Sequence, residues 1–155
     1  MIDVLLLLVL AGVTYYVASE GAWGAATTAI SVILAGLIAM NFFEPICDSL
    51  LGTNSYWQTR LDLIVLVGLF AAGVSALRFG ADYVSPTYIG VHRMVHECIR
   101  WGSGLLAGYV TMAFLLTALH TAALPREFLG FKPERENFFS TLSPDKQWLG
   151  FTHYF

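Results

Sequence analysis

The sequence predicts an all-α membrane protein with four transmembrane helices, an amphipathic interfacial helix before the fourth, and an aromatic-rich C-terminal tail. Three observations carry this. Hydrophobic residues make up 57% of the 155 residues and charged residues only 12%, against about 25% charged in an ordinary soluble domain. The mean hydropathy is +0.66. The apolar residues also gather in four runs, 2–18, 22–43, 61–77 and 102–124, where a span needs about 17 to 25 residues. A net charge of -3 argues against nucleic acid, which calls for a basic face. The two cysteines, Cys47 and Cys98, form no CxxC, which excludes a zinc ribbon or a disulfide framework.

The first span, 2–18, begins Met-Ile-Asp and has no Lys or Arg before Arg60. A signal peptide would carry a basic start, so this run is expected to stay as a membrane helix. Asp3 stands where a carboxylate favours free N–H groups and the positive end of the helix dipole. Ser19-Glu20-Gly21 reads as the first turn, and Trp23 as an interfacial anchor for the second span, 22–43. That span is rich in Ala and Gly, which lets helix backbones approach closely in lipid. Pro45 is expected to end it, with a loop from Ile46 to Arg60.

The third span, 61–77, offers a small-residue face through Gly68 and Ala72, with Gly73 and Ala76 alongside. Arg78 and Asp82 close it. After Pro86, Val91, Met94, Val95 and Cys98 recur at helical spacing, opposite His92, Arg93, His96, Glu97 and Arg100. That pattern predicts a helix lying in the interface. Trp101 then anchors the fourth span, which contains Gly104 and Gly108 as a GxxxG pair. These two glycines, with Gly68 and Ala72, are the expected helix-packing positions. The tail, 126–155, is expected outside the membrane. Its Phe138, Phe139, Trp148 and Phe151 are too apolar for a disordered segment, so they are read as a docking surface that packs on the bundle's rim, the membrane interface or a partner.

Four spans place both termini on one face, with Arg60, Arg126, Lys132, Arg135 and Lys146. The positive-inside rule then leans towards cytoplasmic termini. Cys47 and Cys98 fall on opposite faces in this arrangement, so they are not expected to pair.

Few residues promise chemistry. His92 and His96 share a helical face, but Glu97 points about 100° away from His96 and no third ligand follows. A polar helix face is the better reading. His120 lies near the end of the fourth span. A histidine inside a span is a candidate proton relay or axial ligand, yet Pro125 and Arg126 mark the span's end, which favours a histidine at headgroup level. No span holds a charge near its middle, which counts against an ion-coupled transporter, as does the lack of matched broken helices. GxSxG, a P-loop and a dinucleotide fingerprint are absent. No catalytic residue, cofactor or metal site is expected, and no enzyme activity.

The pattern resembles the colicin V production protein (CvpA) family of small bacterial inner-membrane proteins. The likeness runs through Ile2-Asp3-Val4-Leu5, Gly21-Ala22-Trp23-Gly24, Gly36 to Phe42 with Pro45, Ile89-Gly90 with Arg93, the pair Gly104 and Gly108, and Leu124-Pro125. It covers roughly residues 1–125. Family members often have a basic residue where Ala22 and Trp23 stand, and Asp-Arg where this chain has His92-Arg93. The resemblance implies an accessory protein of the bacterial inner membrane, linked to toxin production or export and to envelope maintenance, with no catalytic residues to carry over. Two further readings stand beside it: a structural subunit of a larger energy-converting or secretory complex, and a small channel or transporter made by self-association. The expected partners are the lipid bilayer and other membrane helices.

Overall fold

The computed structural model describes residues 2–50, 58–84, 92–121 and 143–154. These residues form helices α1 (Ile2–Ser19), α2 (Gly21–Leu50), α3 (Gln58–Val84), α4 (Arg93–Thr121) and α5 (Pro144–Thr152), with no strand among them. Three of these helices contain stretches long and apolar enough to cross a membrane: Gly21–Ser49, Asp62–Val84 and Arg93–Thr121. The α1 stretch, Asp3–Ser19, is apolar but shorter, at about the lower limit for a span.

The helices follow the apolar runs, but three boundaries differ from expectation. First, α2 passes through Pro45 and ends at Leu50. A proline removes one backbone hydrogen bond and crowds the preceding turn, so another contact must hold the turn beyond it. Cys47, two residues on, is buried, so packing continues past the proline. Second, α3 extends beyond 61–77 at both ends, and Arg78 and Asp82 form an i,i+4 ion pair within it rather than closing it.

Third, the segment expected as a separate interfacial helix is the opening of α4, continuous from Arg93 into the span. Neither Gly nor Pro separates Arg93 from Trp101, so nothing breaks the backbone ladder there. The Arg100 guanidinium donates to the carbonyl of Ala18 at the end of α1, and it also lies over the Trp101 ring at 5.7 Å. Those contacts tie the junction to the bundle. The tail contains α5, which packs on α4. The boundary of the fourth span beyond Thr121 lies outside the described residues.

The turn between α1 and α2 depends on Gly21, whose φ of 87° is left-handed and suits glycine. Glu20, beside it, is a junction. Its carboxylate accepts from the Thr28 hydroxyl at 3.0 Å and from Arg78 of α3 at 3.3 Å. One end of the bundle is therefore joined by Glu20 of the turn with Thr28 of α2 and Arg78 of α3, and by Arg100 of α4 on the α1 backbone.

In the bundle, α2 packs extensively on α3 and on α4, and α1 packs mainly on α4. The core cluster includes Ala25, Ala29, Val32, Ala35 and Ala39 from α2, Leu66 and Phe70 from α3, and Ala107, Ala113 and Phe114 from α4. Phe70 and Phe114 stack with centroids 4.2 Å apart. A smaller cluster of Leu6, Met112 and Leu116 joins α1 to α4.

Candidate functional site

The residues expected to mediate helix packing divide into two groups. Gly104 and Gly108 face α1. A Cβ at Gly104 would lie 2.8 Å from the Thr14 carbonyl oxygen, and one at Gly108 would lie 2.9 Å from the Leu10 carbonyl oxygen and 2.7 Å from the Thr14 hydroxyl. Such distances are sterically closed, so the GxxxG pair brings two backbones of this same chain together, as small residues do in lipid.

Gly68 and Ala72 are placed differently. Nothing lies within 4 Å of a Cβ built on Gly68, and Ala72 is exposed. The small residue that α3 uses within the bundle is Gly73, whose Cβ position is 3.1 Å from the Ala35 side chain. The face of α3 through Ile64, Gly68, Ala72 and Phe79 points outward. Of the apolar stretch in α3 only 11% is buried, against 56% in α4, so α3 is packed on one side.

The aromatic tail turns inward. Of the surfaces open to Trp148, the structure takes the chain's own bundle rather than a partner: the side chain is 5% exposed. Its indole fills the notch left by Gly36 of α2, where a Cβ would stand 2.6 Å from Cζ2. It also meets Phe114 edge-on at 6.4 Å. The absence of a side chain at Gly36 makes room for the largest side chain in the sequence. Phe151 lies beside Trp148 at 5.6 Å and is more exposed. Phe138 and Phe139 lie outside the described residues.

Polar contacts also hold α5 on α4. The Tyr109 hydroxyl donates to the Gln147 amide oxygen. His120 Nε2 lies 2.6 Å from Asp145 Oδ2, and Asp145 is only 1% exposed. His120 stands out in the sequence, whereas Asp145, 25 positions away, has no periodic relation to it. The only local signal was Ser143-Pro144-Asp145, a helix-start pattern with proline at the first position and an acid in the first turn. Between α2, α4 and α5 runs an apolar cleft of about 230 Å³, lined by Ile33, Leu106, Tyr109, Trp148 and Phe151 among others.

The remaining candidates are dispersed. His92 is exposed and His96 half-buried, and among the described residues no three His, Cys, Asp or Glu side chains gather as a metal site would need. Cys47 and Cys98 are both free thiols, the first buried and the second exposed. No protein-family model, curated protein or solved structure matches this chain.

Proposed function

We propose that this chain is a non-enzymatic accessory protein embedded in a bilayer as four spans, and that it works by helix–helix association through α3. The observation that carries this reading is the contrast between its two small-residue surfaces. Gly104 and Gly108 are consumed by α1, whereas Gly68 and Ala72 remain open on a helix packed on one side. In lipid, small residues favour association only where another backbone approaches them. A helix of a second membrane protein fits that surface, with Gly68 and Ala72 at the crossing.

The resemblance to colicin V production proteins supplies the biological setting: the bacterial inner membrane, with a role in toxin production or export or in envelope maintenance. The basic residues Arg60, Arg126, Lys132, Arg135 and Lys146 support cytoplasmic termini. The open face of α3 also favours a second reading, a structural subunit of a larger membrane complex.

One experiment tests both. Membranes are solubilised in mild detergent, and the particle holding this chain is sized and its components identified. A particle with other subunits, lost on Gly68→Leu or Ala72→Leu, supports association through α3; a large particle of fixed composition selects the structural subunit. A particle containing one copy of this chain alone, unchanged by either substitution, overturns both.

A further inference from the structure

The cleft between α2, α4 and α5 lies within the length of the bundle, away from its ends. Ile33, on its α2 wall, stands near the middle of the apolar stretch Gly21–Ser49. Its α4 wall, Leu106, Tyr109, Val110 and Ala113, is a single helical face that begins just past Trp101. Trp148 and Phe151 of α5 form the third wall. Trp148 itself meets Gly36 and Phe114, both well inside their helices. α5 therefore rests on the part of the bundle that a hydrocarbon layer of about 30 Å surrounds. Its basic side chain, Lys146, follows Asp145, which is held at the last turn of α4 through His120. From there a long stem reaches towards the headgroups.

The walls present carbon. The Tyr109 hydroxyl and the Gln147 amide oxygen are bonded to each other. The indole Nε1 of Trp148 is buried, so the ring turns carbon to the open space. Ile33, Leu106, Val110 and Phe151 add only apolar side chains. An apolar cavity of about 150 Å³ stays dry and takes benzene; at about 230 Å³ this cleft has room for a run of several methylene groups. Its mouth is continuous with the outward apolar surface. Leu106 and Phe151 are partly exposed, as are Leu105 beside the one wall and Ile30 and Leu34 beside the other.

We propose that the cleft holds one acyl chain of a bilayer lipid, clasped between α2, α4 and α5. This occupancy requires the bilayer embedding proposed above, but not association through α3. Continuity selects the occupant: a chain already lying along Ile30, Leu34 and Leu105 enters from the side and leaves its headgroup outside, whereas a polar ligand would have to give up its hydrogen bonds against carbon walls. In lipid the gain is contact rather than escape from water. An unfilled cleft forfeits the attraction of the atoms lining it, and a flexible chain recovers it against two aromatic side chains. Because Trp148 and Phe151 belong to α5, the site exists only while α5 is docked.

Brominated phospholipids test this, since bromine quenches an indole that it touches. Two single-tryptophan chains are reconstituted into phosphatidylcholine vesicles brominated either at mid-chain or near the glycerol. One keeps Trp148; the other keeps Trp101, which is 48% exposed at the start of the span. The remaining tryptophans are replaced by Phe. Trp148 is expected to lose more emission than Trp101 to mid-chain bromine, and less to bromine near the glycerol. Ile33→Phe combined with Leu106→Phe fills the cleft from two walls. That pair is expected to reduce the loss at Trp148 and leave the loss at Trp101 unchanged. The difference between the unaltered chain and its Trp148→Phe variant gives the same readout without the triple replacement. Trp101 quenched with Trp148 spared overturns the acyl-chain site and leaves the bilayer reading standing. Equal quenching of Trp148 with and without the two added Phe side chains means that α5 meets lipid outside the cleft, and overturns it too. Both tryptophans spared by every lipid removes the bilayer reading and the site together.

Discussion

Gly36 of α2 and Trp148 of α5 fit as notch and knob: the space a methyl group would fill at Gly36 lies 2.6 Å from the indole Cζ2. The two positions are far apart in sequence, yet each explains the other. A small residue in the middle of α2 lets a short, weakly apolar helix bury one large side chain. Phe114, itself stacked on Phe70, lies beside the same notch, 3.6 Å from that position, and meets the indole edge-on at 6.4 Å.

This contact makes Gly36→Ala a specific test. The added methyl collides with the indole, and Phe114 beside the notch leaves the methyl no free space to turn into. Overpacking of this kind costs about 1–3 kcal/mol. The expected result is lower thermal stability in detergent and a red-shifted Trp148 emission. Combining it with Trp148→Ala, which empties the notch, is expected to remove most of the additional penalty of the methyl group, because the two sites share one contact.

Phe114 is fully buried and touches aromatic rings from both α3 and α5. Phe114→Ala is therefore expected to be the most damaging of the substitutions considered, by about 3–5 kcal/mol. Reversible unfolding in mixed micelles measures it. A loss below about 1 kcal/mol would contradict the packing of α3 and α5 around this ring.

How much of this was legible beforehand follows from the physics of each element. The long helices were legible because apolar runs of span length leave few alternatives. Their ends were not: Pro45 is a local stop signal, and the burial of Cys47 beyond it is a tertiary fact. The amphipathic pattern before Trp101 is real, but it belongs to the first turns of α4. That Trp148 must pack somewhere was legible from its company of aromatics, whereas its seat against Gly36 was not. The partner of His120 could not be read either, since nothing in the sequence links it to Asp145. Small-residue pairs were found by spacing alone, and spacing cannot distinguish a face turned to the chain's own helix from one turned outward.

The cysteines provide a chemical map of two levels of the bundle. Cys98 is exposed on the first turns of α4, and Cys47 is buried at the end of α2. A maleimide is expected to modify Cys98 rapidly and Cys47 slowly in detergent, with both reacting after denaturation. Mild oxidation is expected to give no internal disulfide, since Cys98 lies beside Arg100 at the α1–α2 turn and Cys47 near the far end of α2. An oxidised Cys47–Cys98 bond in the native protein would contradict that arrangement.

The glycines give the sharpest comparison because three chemically identical changes should diverge. Gly104→Ala and Gly108→Ala each place a methyl within 3 Å of α1 backbone oxygen, at Thr14 or at Leu10. Backbone cannot rotate aside as a side chain can, so α1 must move away from α4 as a whole. Each change is expected to cost about 1–3 kcal/mol, and the pair less than the sum, since one displacement relieves both clashes. Gly68→Ala meets open space and gains the small helix preference of alanine, so the isolated chain should be as stable as before or slightly more so. Parallel melts of the three variants in detergent decide this. Equal losses at all three positions would mean that α1 does not lie on the GxxxG face, whereas loss at Gly104 and Gly108 alone fixes α1 there and leaves the Gly68 face free for a second protein.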